Sequence, residues 1–418
     1  MNDKHIPNNT NIHLEMSAGL KPKTYQMPHI MSKKKTNRIF EHISDVDISE
    51  QDILDYDPDI LATLLIDRTM TIKAQQEANS KTEVRNIFWA TDDYEGIVLE
   101  EGATPLNEGF RYNDQIMPEN ITGKCRRIIM PRVLKNRQAQ LERTKEKAEV
   151  FTPSWVCNAQ NNLVDDIWFG RKDVFNTEVI LPDGSRSWIT NKDKVSFPEG
   201  DIHKSWTKYV TDNRLEITCG EAPYLISRYD TTSGKPIPIS ERVGVLDRKL
   251  RVICENAKTK AEWLEMARRA YMHTYGYEWQ GDNLLLARES LLYTFIEYYI
   301  HHFNSKDSDG NIILEDVPLN KSIKAIAEII SWNIWQMDGI KMVIPDSCNN
   351  VYIDDIWGEK TKQECPGCLK GDIKEHIGTY CIIRDWGIKK PTDWESKYND
   401  IDNCPWQHIP FHTLINYR

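Results

Sequence analysis

Apolar residues recur along this chain with helical spacing in some stretches and with strand-like compactness in others. Ile43, Ile48, Ile53 and Leu54, followed by Ile60, Leu61, Leu64 and Leu65, predict helix within 36–66. Residues 85–115 carry strand and turn signals, with Asn86-Ile87-Phe88-Trp89-Ala90 running into Asp92-Asp93. From 148 to 260 the two patterns alternate. Two short apolar runs there, Arg214-Leu215-Glu216-Ile217 and Val243-Gly244-Val245-Leu246-Asp247, predict strands ending on acidic or glycine positions. Residues 261–303 read as strongly helical; the aromatic series Tyr271, Tyr275, Tyr277, Trp279, Tyr293, Phe295, Tyr298 and Tyr299 has core spacing, with stacking on bases the alternative reading. A helix from Ile323 to Trp332 and a strand from Ile340 to Ile344 are expected next. Residues 1–30 are polar, Asn-rich and without period, and read as a disordered tail. Residues 346–418 are rich in Cys, Pro and Asp with little periodicity.

Composition narrows the class. With 418 residues and 40% hydrophobic positions the chain can bury two or three cores, and a formal charge of −10 argues against a uniform nucleic-acid coat. No apolar run nears the ~18 residues of a membrane helix, and the N-terminus lacks an apolar signal core. Nine cysteines, an odd number, predict reduced thiols plus a metal site, so the expected location is the cytoplasm. One block departs from the acidic whole. Lys124, Arg126, Arg127, Arg132, Lys135, Arg137, Arg143, Lys145 and Lys147 are opposed only by Glu142 and Glu146. It reads as a solvated helix face or as a phosphate-facing surface built on Arg132, Lys135 and Arg137.

Five segments carry candidate chemistry. Phe151-Thr152-Pro153 precedes an apolar helix start, with Thr152 able to cap and Pro153 suited to the first turn. Leu215-Glu216-Ile217-Thr218-Cys219-Gly220-Glu221-Ala222 is a strand, an acid, a tight turn of small residues and then a helix start, the arrangement by which a doubly wound sheet approaches a nucleotide-like ligand. Val243 to Asp247 places an acid where ribose hydroxyls could donate, and Asn333 to Gly339 places Asp338 after another apolar segment. Cys365-Pro366-Gly367-Cys368, with His376 and Cys381 beyond, supplies four N/S ligands for a closed, structural zinc site; Cys348 and Cys404 are spare candidates. No Ser/His/Asp set, phosphate-binding loop or nuclease carboxylate–Lys cluster is present in the sequence.

Taken in order, these segments resemble the amino-methylating DNA methyltransferases whose cofactor site precedes the catalytic motif, the modification subunits of bacterial restriction–modification systems. The resemblance covers roughly residues 85–385. It implies that Phe151, Thr152 and Pro153 pack over the methionine end of S-adenosylmethionine. Glu216 and Gly220 match the first-strand motif, Asp247 the ribose-binding acid and Asp338 the acid that meets the adenine amine. Ala222 stands where that family usually has a second glycine. The family's catalytic Asn-Pro-Pro-Tyr follows a buried strand and holds the flipped adenine. Here its only counterpart is Asn403-Cys404-Pro405-Trp406, after the polar Ser396 to Asp402. Asn403, Pro405 and Trp406 are therefore the candidate catalytic residues, in a context that predicts little methyl transfer by this chain alone.

The resemblance and the residue pattern together predict an α/β fold: a Rossmann-like, S-adenosylmethionine-dependent methyltransferase sheet, incomplete, with a helical and mixed N-terminal region and a small Cys-rich element. The expected divisions are a tail at 1–35, a mixed region with a basic helix at 36–147, a cofactor-binding domain at 148–345 and a zinc element with tail at 346–418. The expected partners are DNA and either a downstream catalytic polypeptide or a nuclease subunit. Two alternatives stay open: a non-catalytic or truncated subunit that binds cofactor or DNA, and a zinc-stabilised DNA-binding module.

Overall fold

The computed structural model describes residues 43–71, 80–81, 83–146, 152–303, 317–354, 360–389, 398–399 and 406–416. The expected tail at 1–35, Phe151, Asn403 and Pro405 lie outside them.

Helix α1 (Glu50–Tyr56) is capped by the Ser49 hydroxyl, which accepts from the Asp52 N–H, and α2 (Pro58–Leu65) by the Asp57 carboxylate, with Pro58 in its first turn. Ile53, Ile60, Leu61, Leu64 and Leu65 are all buried, as their periodicity predicts. The chain then enters β1 (Ile66–Thr71), which pairs antiparallel with β2 (Glu83–Asn86). Irregular chain with short helical turns at Pro118–Ile121, Gly123–Cys125 and Arg132–Leu134 follows as far as α3 (Arg137–Glu146), and α4 (Ser154–Phe169) leads to the hairpin β3 (Asn176–Ile180) and β4 (Arg186–Thr190).

Strand β5 (Arg214–Glu216), helices α5 (Val245–Asn256) and α6 (Lys260–Met272), β6 (Thr274–Glu278), helices α7 (Gly281–Phe303) and α8 (Val317–Asn333) and β7 (Ile334–Gln336) follow. The three strands form a parallel sheet in the order β5-β6-β7, with Glu216 opposite Gly276 and Glu278 opposite Gln336. Parallel neighbours need long crossovers, and the helix pairs supply them. Beyond β7, β8 (Thr379–Lys389) and β9 (Trp406–Pro410) complete a four-stranded antiparallel sheet, order β9-β8-β1-β2. The molecule is thus mixed α/β. Thr69 pairs with Cys381 and Met70 with Tyr380, so the expected N-terminal region and Cys-rich element share one sheet. All described residues fall in one unit, 37–418.

The pivot of the core is α7, buried from Gly281 to Ile300. A helix apolar on every side belongs in an interior, and the polar residues it does carry are used to tie elements together. Arg288, wholly buried, donates to the carbonyls of Ile334 (2.8 Å), Leu64 (2.6 Å) and Ile66 (2.7 Å), which joins α7 to β7 and to the α2–β1 junction. Burial brings its guanidinium down to about 10, with Asp67 opposing.

Three expected elements differ. Val243 to Asp247 is not a strand: α5 starts at Val245, and Gly244 lies so close to the backbone of Leu225 and Ile226 that a Cβ would stand 2.4 Å from the Leu225 carbonyl oxygen. Helix propagation from Val245 is favoured because Val245, Leu246, Leu250, Val252 and Ile253 then share one buried side. The expected helical stretch 261–303 contains β6, since Thr274-Tyr275-Gly276-Tyr277 is better suited to a pleated, buried neighbour position than to a helix. The strand after α8 is Ile334–Gln336; residues 340–344 form a turn and a bridge instead.

Candidate functional site

Three acids stand at the carboxyl ends of the three parallel strands. Glu216 closes β5, Glu278 closes β6 and Asp338 follows β7 by two residues. Each is largely buried, 8%, 8% and 5% exposed, so each must be satisfied by neighbouring donors. The Glu216 carboxylate accepts from the backbone N–H groups of Tyr224 (3.3 Å) and Leu225 (3.1 Å). Glu278 accepts from Gly220 N–H (2.8 Å) and Gln280 N–H (3.3 Å). Asp338 accepts from Ile340 and Lys341 N–H (2.9 and 3.1 Å). Burial pushes Glu216 well above the ordinary carboxylate range despite its two donors, and raises Glu278 as well.

The turn after β5 reaches across these ends. Cys219 N–H donates to the Tyr277 carbonyl at 2.8 Å, extending β5 alongside β6. Thr218, Gly220 and Ala222 all have left-handed backbone, φ 46°, 54° and 61°. Glycine takes that region freely, whereas threonine and alanine are strained in it. No atom lies within 4 Å of where a Cβ on Gly220 would be, so that side of the turn is open. Gly339 is the opposite case: a Cβ there would meet the Tyr277 ring at 2.6 Å. Thr152 and Ser154, on either side of Pro153, reach the 230–231 segment that follows this turn. The Thr152 carbonyl accepts from the Thr231 hydroxyl (3.0 Å), and Asp230 accepts from Ser154 N–H (2.7 Å) at the start of α4.

Asp247 is not on this rim. It lies in the first turn of α5, fully buried, and accepts from both the N–H (2.7 Å) and the hydroxyl (3.1 Å) of Ser227. Burial, opposed mainly by Arg242, raises it to about 6. It braces the segment behind the turn. The acid at the end of the neighbouring strand is Glu278, which the sequence reading passed over. Its signal was available: a short Tyr-Gly-Tyr run, then Glu278, then Gly281-Asp282 opening a helix.

A second cluster lies beyond β7. Cys348, Cys365, Cys368 and His376 offer four ligand atoms within 4.8 Å of one another, and the group can hold a metal ion. The His376 Nδ1 stands 3.5, 3.4 and 3.6 Å from the three sulfurs, in that order. Metal–sulfur and metal–nitrogen bonds of ~2.3 and ~2.0 Å at a tetrahedral angle imply an S···N edge of about 3.5 Å, so the spacing suits zinc-like coordination. The turn is built for it. A Cβ at Gly367 would stand 2.6 Å from His376 N, and one at Gly378 2.8 Å from Cys348 Sγ. Burial pushes the Cys348 thiol up to about 12. Cys365 is brought down to about 6 because, against its own desolvation, the N–H groups of Ile377 and Cys368 and the His376 ring favour the thiolate. Cys381 is not a member. It lies in β8, wholly buried, with its Sγ 3.2 Å from the Gln336 carbonyl, because strand alternation turns it into the core shared with Tyr277 and Trp335. Cys348 takes the fourth place.

Of the three residues expected to face DNA, one is engaged inward and one partly so. Lys135 pairs with the buried Asp282 at 3.5 Å, beside Arg143, which bonds Asp282, Asp93 and Gln280. Arg132 donates to Thr144 (2.6 Å) and Gln140, while its own N–H donates to Glu221. Arg137 is exposed, as are Lys124, Arg126, Arg127 and Lys145, with Arg127 pairing with Asp47. Trp406 begins β9, antiparallel to β8 in the four-stranded sheet and not after a parallel strand, and Ile409 of β9 packs against the cluster of Tyr277 and Trp335.

Comparison with protein-family models, curated proteins and solved structures finds no match. Among the described residues no helix is long and apolar enough to cross a membrane.

Proposed function

We propose that this chain carries the S-adenosylmethionine site of a DNA adenine-N6 methyltransferase of a restriction–modification system, on a Rossmann-like sheet. The observation that carries the reading is the row of acids Glu216, Glu278 and Asp338 at the ends of three consecutive parallel strands, beneath a turn that is open at Gly220. Ligands of doubly wound sheets bind outside the carboxyl ends of the strands, and acids there accept from ribose hydroxyls and ring amines. In this reading Glu278 takes the ribose, the place the sequence pattern assigned to Asp247, and Asp338 takes the adenine amine. Thr152 and Pro153 take the methionine end only as the family resemblance implies. The cofactor supplies an activated methyl group; the chain supplies binding and orientation. Zinc in the Cys348–Cys365–Cys368–His376 cluster has a structural part, since four protein ligands leave no open position.

A second reading, a subunit that binds cofactor and DNA without transferring a methyl group alone, is favoured by one feature. Strand β5 is the edge of its sheet among the described residues, and Leu215 and Ile217 beside it are 47% and 63% exposed. Parallel sheets are ordinarily covered on both sides and do not end on apolar edges. A catalytic polypeptide that adds the next strand would cover them and bring its own base-holding residues to the rim.

Titration calorimetry of the purified chain with S-adenosylhomocysteine tests the reading. Saturable one-site binding that Glu278→Ala abolishes supports it; absence of heat from a folded sample overturns it. A tritiated-methyl assay on mixed-sequence DNA then separates an active enzyme from a subunit that needs a partner.

A further inference from the structure

The segment between β7 and the metal cluster is strained and tied at several points. Met342 and Asp346 both have left-handed backbone, φ 60° and 55°, within five residues. Neither is glycine, so each conformation persists where the surroundings hold it, Met342 being the more strained since Asp visits this region more readily. The holding contacts can be followed. Asp338 N–H donates to the Val343 carbonyl (2.8 Å) and Met342 N–H to the Asp338 carbonyl (2.7 Å), closing the loop on itself. Val343 bridges Tyr380, Ile344 N–H donates to the Thr379 carbonyl (2.8 Å), and Thr379 N–H donates to the Ser347 hydroxyl (3.0 Å). Toward the rim, Tyr112 donates to the Asp346 carboxylate (2.6 Å) and accepts from the Trp279 indole (3.1 Å), next in chain to Glu278.

At the far end stands Cys348. Its thiol and two others, each a weak hydrogen-bonding group, face one nitrogen of the His376 imidazole. Cys365 and Cys368 come from the turn and short helix at Pro366–Lys370, and His376 from the loop before β8. Three segments therefore meet at four ligand atoms, and a metal ion is the one tie that would bond them strongly.

We propose that the cluster binds one zinc ion, and that this ion locks the Asp338–Asp346 segment in place and so links the metal site to the acidic rim. Linkage is reciprocal: zinc tightens ligand binding at the rim, and a rim ligand tightens zinc. The inference rests on the cofactor reading only for what the rim binds; the ordering of the segment stands apart from it.

The test uses the full chain, purified with its metal and then stripped by a chelator in native buffer. Elemental analysis should find about one zinc, lost in Cys368→Ser, whose side chain is the exposed ligand. On stripping, hydrogen exchange should rise in peptides covering 338–348 and 379–381 while α5 to α7 stay protected, and S-adenosylhomocysteine affinity should fall about tenfold. Tyr112→Phe keeps all four ligands and should retain zinc. It should still weaken the rim and reduce the effect of stripping. No bound zinc, or exchange changes confined to 360–378, overturns the inference. Full exchange changes with no cofactor binding in the loaded protein would sink the cofactor reading and the coupling to the rim ligand, and leave the ordering of the 338–346 segment by zinc standing.

Discussion

The carboxylate of Glu278 accepts a hydrogen bond from the backbone N–H of Gly220 across 2.8 Å, joining the end of one parallel strand to the turn after its neighbour. That bond ties the turn to the rim. Removing the carboxylate should affect ligand binding and leave the core intact. Glu278→Gln keeps the shape and an acceptor oxygen but loses the charge. Its S-adenosylhomocysteine affinity should fall by about 1.5–3 kcal/mol, the range for hydrogen bonds to charged groups, as read by calorimetry. Unchanged affinity would place the ligand elsewhere.

Asp247 should behave in the opposite way. Its replacement by Ala leaves the Ser227 N–H and hydroxyl without their acceptor inside the core. Folding stability should drop by about 1–3 kcal/mol in urea unfolding. Ligand affinity of the folded variant should stay within a factor of about two, because the side chain does not reach the rim.

Glu50 and Glu289 face each other's charge in the interior, and none of their four carboxylate oxygens has a hydrogen-bond partner. Burial pushes Glu50 up to about 8 from 4.5. A carboxyl whose pKa is higher folded than unfolded binds its proton more tightly in the native state. Stability is then greatest below the unfolded value and is lost as pH rises through the folded one. For Glu50 the window runs from about 4.5 to about 8. Glu50→Gln, neutral throughout, should be close to the parent at pH 5 and more stable than it at pH 9. Parallel pH profiles for the two proteins would refute this account.

Zinc capture should depend on glycine at position 367. Adding a methyl group there would drive a Cβ to 2.6 Å from His376 N and 2.7 Å from the Asp372 carbonyl oxygen, both backbone atoms that cannot swing aside. Gly367→Ala should cost about 1–3 kcal/mol, the usual range for overpacking, and lower the zinc content seen by elemental analysis. Gly371→Ala, where no atom lies within 4 Å of the new methyl, should keep its zinc despite the strain of its φ of +69°.

The basic block should split into two functional classes. Reversing the exposed Arg126 and Arg137 to Glu should weaken binding to duplex DNA and flatten its salt dependence, since fewer counterions are released. Lys135→Glu should mainly destabilise the protein, because it sets a second acid against the buried Asp282. Equal salt slopes in the parent and the double reversal would move the DNA surface away from this block.

Local sequence was enough for features whose cause is local. The buried sides of α1 and α2, the strand ending at Glu216 and the Cys-x-x-Cys turn all follow from neighbours a few residues apart. Glu278, Cys348 and Asp247 were decided elsewhere. Strand β6 is five residues long and β7 three, both enclosed by helices; so short a buried run carries no period to tell it from a helix turn. Asp247 follows an apolar run that looks like a strand. The backbone of Leu225 and Ile226 against Gly244 and the shared buried side of α5 make it helical, and they turn the acid inward. Spacing pointed to Cys381 as the fourth ligand, with Cys348 only a spare, and the structure reverses them. Pairing of β8 with β1 fixes the pleat that buries Cys381, while the loop from β7 carries Cys348 to His376. Long-range pairing sets which side a residue faces, and a shift of one position reverses it. For that reason the chemistry of these residues is settled by tertiary structure and not by the residue sequence around them.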